Sequence, residues 1–360
     1  MRSCVHLLRF IAFAALLAFG ELYAQGPPPS LDQGPGPDQD QTQTPKPAVT
    51  APASGSTIRV NVDLVNIYFT VRAKKGGQLI PNLNQSDFKV YEDGQEQKIE
   101  RFSRETDLPL TLGLLIDVSA SQERLIDIER QAASAFFSNV IRPKDEAFLI
   151  SFGKDTNLLQ DYTNSPRLLN AALRDLHGDG PGAVMTGGPI PNTGPVPTMG
   201  TPKGTLLYDA VYLASNEKLK GEVGRKALVL ITDGEDQGSY YKLSDAVEAA
   251  QKADAIIYSI YYVDRQFYFQ AGMIGGGGAS VLKKMSEETG GHMFTVDRKH
   301  TLNDIFREIQ DEMRNQYSIG YYPTNTKRDG SFRRIEIKVD NPAYRVQARA
   351  GYYATPNDAQ

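Results

Sequence analysis

The sequence predicts a doubly wound α/β domain with a mostly parallel sheet, inserted into a β-sandwich that the flanking segments form together. Between residues 108 and 316, short apolar stretches alternate with amphipathic helical patterns, which is typical of a parallel sheet covered by helices on both faces. On either side, residues 58–107 and 317–354 alternate between polar and apolar. Each side has too few strands to bury an apolar face alone, so we expect one shared sandwich.

The first 24 residues have the pattern of a secretory signal peptide. Arg2 and Arg9 give a basic start, residues 11–19 form an apolar run, and Leu-Tyr-Ala offers a cleavage site after Ala24. We therefore expect secretion or retention in the periplasm or cell envelope, with a mature chain that begins at Gln25 and has no transmembrane segment. An uncleaved anchor is the alternative, although the apolar run is short for a membrane span.

Composition excludes several classes of function. The net charge of −4 argues against a nucleic-acid partner. The single cysteine, Cys4, lies in the predicted signal, so the mature chain has no disulfide or thiolate chemistry. Residues 25–57 are rich in Pro, Gly and Gln and poor in apolar side chains, which predicts a disordered linker. Residues 355–360 are expected to form a short tail.

The N-terminal β segment, residues 58–107, is expected to contain about four strands. In "IRVNVDLVNIYFTVRAKKGG" the alternation places Val65, Ile67 and Phe69 on one face. In "SDFKVYEDGQEQKIERFSRE" the sequence Glu92-Asp93-Gly94 predicts a hairpin turn between two strands. One apolar face of this segment therefore needs a partner.

The α/β segment, residues 108–316, begins with the strand "TLGLLIDVS" and an amphipathic helix at about Glu123–Val140. A Ser165 cap and Pro166 open a later helix. The further predicted strands are "EAFLISFG", "KALVLITDG", "AIIYSIYYV" and "HMFTVD", and the further predicted helices are "SPRLLNAALRDLH", "TLLYDAVYLASNEKL", "KLSDAVEAAQKAD", "ASVLKKMSEETG" and "TLNDIFREIQDEMRNQ".

The C-terminal β segment, residues 317–354, contains three predicted strands: "YSIGYYP", "SFRRIEIKVD" and "YRVQARAGYYA". A turn at Arg328-Asp329-Gly330 separates the first two. Ile335, Ile337 and Val339 share one apolar face, which would be exposed to solvent in a small isolated sheet.

Polar side chains follow the ends of the apolar strands, where ligands bind in open α/β sheets. They are Asp117, Ser119, Ser121, Thr205 and Asp233. All are oxygen donors with no His or Cys beside them, which disfavours zinc and favours Mg²⁺, with Mn²⁺ or Ca²⁺ as alternatives. The chain must turn directly after Asp117 for the two serines to reach the same point. Caps for the following helix are the alternative role of these serines.

The motifs "DVSAS", "GTLLYDA" and "LITDGED" occur in this order, and they resemble the three loops of the von Willebrand factor type A (VWA) domain. The segments "VDLVN", "DFKVYEDG" and "YSIGYYP" extend the likeness to a secreted family of VWA-related bacterial proteins, described mainly from Acidobacteria. In VWA domains the three loops form the metal-ion-dependent adhesion site (MIDAS).

The resemblance implies a role for each residue. Ser119, Ser121 and Thr205 would bind the metal, while Asp117 and Asp233 would hold its waters and accept hydrogen bonds from the serines. The protein would be a secreted, non-enzymatic module that grips an acidic side chain of a protein partner through Mg²⁺. Two loops, residues 177–204 and 267–280, are expected at the rim of the site, although a disordered insertion is the alternative for the first.

Two other functions remain open at this point. A metal-dependent hydrolase could use Asp117 as nucleophile or Asp233 as base, but the dehalogenase-type pattern needs Asp-x-Asp, and Ser119 takes the second position. The chain also lacks a Gly-x-Ser-x-Gly elbow. The third possibility is a structural cell-envelope protein with a vestigial metal site.

Overall fold

A computed structural model describes residues 64–105, 108–179, 204–270, 272 and 277–354. The predicted signal peptide, linker and tail, and most of the loop at residues 177–204, lie outside these ranges. Within them, no helix has the length and apolar character needed to cross a membrane.

Within the described residues, the N-terminal β segment contains the four strands expected. They are β1 (Val65–Ala73), β2 (Phe88–Glu92), β3 (Gln95–Gln97) and β4 (Ile99–Glu105). The β2–β3 connection is the predicted hairpin, in which Asp93 and Gly94 both have positive φ angles, 48° and 84°. A two-residue turn of this kind matches the twist of the paired strands.

The α/β segment forms a six-stranded sheet in the order β10-β9-β8-β5-β6-β7. The neighbouring strands pair in parallel except for β7, which is antiparallel to β6. The strands are β5 (Leu110–Asp117), β6 (Glu146–Phe152), β7 (Thr156–Thr163), β8 (Arg225–Thr232), β9 (Ala255–Tyr261) and β10 (Met293–Thr295), and the helices are α1 (Ile126–Val140), α2 (Pro166–Ala172), α3 (Leu207–Leu213), α4 (Leu243–Lys252), α5 (Arg265–Gln270), α6 (Gly278–Thr289) and α7 (Leu302–Arg314).

Helices cover both faces of this sheet, as the sequence predicts. Helices α1, α2 and α7 pack on one face with Leu112, Leu114 and Ile116 of β5. Helices α3, α4 and α6 pack on the other face with Leu115. Every residue of β5 is buried, which explains why its sequence is a continuous apolar run and not an alternating one.

The C-terminal β segment completes a sandwich with the N-terminal one. Its strands are β11 (Gln316–Tyr321), β12 (Phe332–Val339), β13 (Tyr344–Ala348) and β14 (Gly351–Tyr353). They mix with the first four strands in two sheets, β13-β1-β11-β4 and β14-β12-β2-β3. Val65, Ile67 and Phe69 share one core with Ile335 and Ile337. The predicted shared sandwich is therefore present.

Three features differ from the predicted element list, and one of them is helix α5, which was not predicted. Strand β7 was not predicted; its residues are half-buried or exposed, so it carries no clear apolar alternation. The last predicted strand, "YRVQARAGYYA", divides into β13 and β14, which lie in different sheets. A β-carbon at Gly351 would lie 2.1 Å from the Arg333 carbonyl oxygen, so only glycine allows the close approach at which β14 begins.

Candidate metal site

The loops after β5 and β8 lie side by side because these strands are parallel neighbours. Ile116 pairs with Ile231, so Asp117 and Thr232 end their strands at the same level. The fully buried Asp117 accepts a 2.5 Å hydrogen bond from the Thr232 hydroxyl and one of 2.9 Å from the Ser119 amide. The Asp117 carboxylate therefore links the loop after β5 to the end of β8.

Above Asp117, the two serines and Asp233 form a contiguous cluster, which we call the serine–aspartate cluster. The Oγ atoms of Ser119 and Ser121 are 3.1 Å apart, and Ser121 donates a 2.6 Å hydrogen bond to Oδ2 of Asp233. The chain turns directly after Asp117, and the backbone N–H of Gln122 donates a hydrogen bond to the Ser119 carbonyl oxygen. This turn is what brings alternate residues of the sequence to one point.

Thr205, which precedes α3, lies beside the end of β6, the strand next to β5 in the sheet. Its neighbour Leu206 donates a 3.0 Å backbone hydrogen bond to Gly153, directly after β6, and the Thr205 carbonyl accepts one of 2.8 Å from Gln237. Thr205 is buried. In the described part of the chain, the hydrogen bonds that join the serines to Asp233 do not extend to the Thr205 side chain. The structure thus brings four of the five predicted residues into one network and leaves Thr205 outside its hydrogen bonds.

Glycines make the Asp233 turn possible. Gly234 has a φ of 77°, a conformation that side chains rarely adopt. A β-carbon at Gly278, the first residue of α6, would lie 2.0 Å from the Asp233 carbonyl oxygen. The need for glycine at position 278 cannot be seen in the local sequence, because it depends on where α6 packs.

The site contains three buried carboxyl groups, those of Asp117, Glu129 and Asp233. Burial and, next, the charge of Asp233 raise the pKa of Asp117 to about 7. Glu129 of α1 is also fully buried, and burial followed by the charges of both aspartates raises its pKa well above the usual range. Neither carboxyl oxygen of Glu129 has a hydrogen-bond partner. A cation beside the aspartates would offset this charge, so the residues present fit a divalent metal.

Sequence reasoning missed three residues of this site. Glu129 was part of the amphipathic pattern of α1 and carried no separate signal. The buried Gln122 donates to Oδ2 of Asp233 at 3.0 Å, and Tyr268 donates to the same oxygen at 2.9 Å. Tyr268 belongs to α5, which occupies the start of the stretch expected to be a rim loop, residues 267–280.

Two further aspartates, Asp209 and Asp236, accept hydrogen bonds from backbone N–H and hydroxyl groups of the neighbouring loops. Asp209 accepts hydrogen bonds from the amides of Tyr240 and Tyr241. Asp236 accepts from the Tyr208 amide and, at 2.5 Å, from the Ser239 hydroxyl. Both hold loops in place. The described residues contain no group of three or more His, Cys, Asp or Glu residues arranged to hold a metal.

No protein-family profile matches the chain, and no curated protein matches it. Among solved structures, the conserved hypothetical protein BatB from Bacteroides thetaiotaomicron is similar at 16% identity and a TM-score of 0.40, over 57% of this chain and 97% of that one. Proximal thread matrix protein 1 from the mussel byssus, with a zinc-occupied MIDAS motif, is similar at 12% identity and a TM-score of 0.41, over 61% and 48%. The SpRpn10 VWA domain is similar at 13% identity and a TM-score of 0.36, over 56% and 95%. At these values the likeness identifies no function, so the site is interpreted from its own geometry.

Proposed function

We propose that this protein is a metal-dependent protein-binding module of the VWA type, which holds Mg²⁺, or Mn²⁺ or Ca²⁺ in its place, and binds an acidic side chain of its partner. One observation carries the proposal. The ends of β5 and β8 bring together two neutral serine hydroxyls and two buried aspartates, with the Ser121 hydroxyl 2.6 Å from Asp233. Hydroxyl and carboxylate oxygens are the donors that hard divalent cations prefer.

The residues divide into two roles. Ser119, Ser121 and Thr205 would provide neutral oxygen ligands, and Asp117 and Asp233 would accept hydrogen bonds from hydroxyls and from water on the ion. Because Ser121 donates its hydroxyl hydrogen to Asp233, it accepts from Ser119 in their 3.1 Å contact, and one lone pair of its oxygen remains for a cation. When bound, the metal supplies an electron-poor centre, since neutral ligands offset little of its charge, and a carboxylate of the partner can complete the coordination.

The hydrolase alternative is disfavoured by the surroundings of the two aspartates. A nucleophile needs an accessible oxygen, but Asp117 is fully buried and both of its oxygens accept hydrogen bonds, from Ser119 and Thr232. A general base needs a free lone pair, but Oδ2 of Asp233 accepts hydrogen bonds from three donors and Oδ1 accepts one from the Glu235 backbone N–H, which leaves a single lone pair on Oδ1. We therefore propose a non-enzymatic module, located in the cell envelope or outside the cell.

Calorimetric titration with Mg²⁺ and Mn²⁺ tests the metal assignment. We expect wild type to bind weakly, and Ser121→Ala and Asp117→Ala to lose at least tenfold in affinity with an unchanged circular dichroism spectrum, since each loses a ligand or its support. Ser138→Ala is the matched control because Ser138 is exposed on α1. Equal metal affinity in wild type and both site variants would overturn the assignment.

Partner binding is tested separately. A pull-down from envelope extract should recover the partner with wild type in Mg²⁺, and should fail in EDTA or with Ser121→Ala. Turnover of phosphatase or esterase substrates by wild type, lost in Asp117→Ala, would favour the hydrolase instead.

A further inference from the structure

We propose that α5 is a removable cap on the serine–aspartate cluster and that Tyr268 is its latch. In the capped form the Tyr268 hydroxyl occupies an acceptor oxygen of Asp233 that water on a bound cation needs, so loading of the site requires α5 to move away. This inference rests on the proposed metal-binding function and adds a means of regulating it.

One carboxylate oxygen of Asp233 accepts more hydrogen bonds than it has lone pairs. Oδ2 of Asp233 receives the Tyr268 hydroxyl at 2.9 Å, the Ser121 hydroxyl at 2.6 Å and the Gln122 amide nitrogen at 3.0 Å. A carboxylate oxygen offers about two lone-pair sites, so three donors compete for them. Ser121 and Gln122 belong to the loop after β5, whereas Tyr268 comes from a different element. Only Tyr268 can leave without disturbing that loop.

Helix α5 has little packing to hold it down. None of its residues is buried, and the Phe269 side chain is 86% exposed. A cavity of about 390 Å³ lies against the helix, lined on the domain side by Tyr261, Val263 and Thr295 among others. Segments with few buried apolar contacts open at low free energy. The helix can therefore separate from the domain without exposing a core.

Further polar contacts of α5 lie at its two ends, where Arg124 also lies 3.7 Å from the buried Asp264. Asp264 accepts hydrogen bonds from the amides of Gln266 and Phe267 at 2.9 and 3.1 Å, which starts the helix. Arg124 donates to Gln270 at 2.7 Å, in an exposed position. Exposed polar contacts of this kind contribute little to stability. The Tyr268–Asp233 hydrogen bond is thus the main contact that joins the middle of the helix to the cluster.

The test compares Tyr268→Phe, which removes only the hydroxyl, with wild type. The chain has no tryptophan, so F269W places a single tryptophan, which can be excited selectively, on α5 at a position that is already exposed. In metal-free protein, Tyr268→Phe in this background should lower the fluorescence anisotropy and speed hydrogen exchange of residues 265–270. Calorimetry should show tighter Mn²⁺ binding by about tenfold to a hundredfold, because a hydrogen bond to a charged group no longer has to be broken first.

Tyr240→Phe is the matched control, since Tyr240 is an 86% exposed tyrosine in the loop that follows β8, and it should change neither quantity. If wild type and Tyr268→Phe both fail to bind Mn²⁺, the proposed function falls and the cap falls with it. If wild type binds Mn²⁺ but Tyr268→Phe leaves either its affinity or the mobility of α5 unchanged, the cap alone is overturned.

Discussion

A buried ion pair joins the sandwich to the α/β domain, and removing one partner should be costly. Glu312 of α7 is fully buried and accepts hydrogen bonds from the Thr70 hydroxyl at 3.0 Å and from Nη2 of Arg72 at 2.6 Å. Both donors belong to β1. Arg72 is 8% exposed and also donates to the Gly77 carbonyl. The perturbation is Arg72→Met, Glu312→Leu, and the two together.

The magnitude follows from what each change leaves behind. Arg72→Met leaves a buried carboxylate with only the Thr70 hydroxyl, and uncompensated buried charges of this kind cost about 3–5 kcal/mol. Glu312→Leu leaves an arginine that keeps the Gly77 carbonyl and some contact with water, so we expect a smaller loss of about 2–4 kcal/mol. The double variant removes both charges and should lie within about 1 kcal/mol of wild type.

Urea unfolding followed by far-ultraviolet circular dichroism measures these free energies. With these values the double-mutant cycle should give a coupling of about 4 kcal/mol or more. Lys98→Met is the control, because Lys98 pairs with Glu100 on the surface and should cost less than about 1 kcal/mol. Additive losses in the double variant would refute the reasoning, since they would mean that the two charges do not compensate each other.

Three further predictions concern stability. Burial, with the charges of Arg72 and Arg345 opposing those of Glu308 and Glu287, lowers the pKa of His292 to about 4. The unfolded chain takes up this proton first, so stability should fall by roughly 1–2 kcal/mol from pH 6.5 to pH 4, after allowance for the partial exposure of the ring, and His292→Phe should remove that loss. Gly113→Ala should cost about 1–3 kcal/mol in urea unfolding, because its methyl group would lie 2.4 Å from Cζ of Phe148. Deletion of residues 317–354 removes β11, which pairs with both β1 and β4, so limited proteolysis should release residues 58–103 and spare residues 108–316.

Each of these predictions has a direct check. The pH series compares wild type with His292→Phe, and parallel curves would contradict the assigned titration. Gly221→Ala is the control for Gly113→Ala, because a β-carbon at Gly221 meets no atom within 4 Å. Protection of residues 58–103 in the truncated protein would show that the N-terminal strands do not depend on β11.

The fold was predictable where one local pattern has one structural meaning. Strand β5 has apolar residues on both of its faces, which is typical of a strand covered by helices on each side. All its residues are buried. The face formed by Val65, Ile67 and Phe69 was visible from alternation alone. Strand β7 and helix α5 escaped prediction because neither buries a clear apolar face, so neither leaves a periodic pattern in the sequence.

By itself, the sequence determined the donor chemistry of the candidate site and its place at the ends of strands. Asp117, Ser119, Ser121 and Asp233 follow strands whose parallel pairing brings them to one edge, and residue type alone makes them oxygen donors. Only the tertiary structure decided that Ser121 and Tyr268 both donate to Asp233, and that Glu129 lies buried near both aspartates. The physical reason is that hydrogen bonds and the burial of charge depend on distances between residues far apart in the chain. The packing of α1 against the sheet and the position of α5 beside the cluster set these distances.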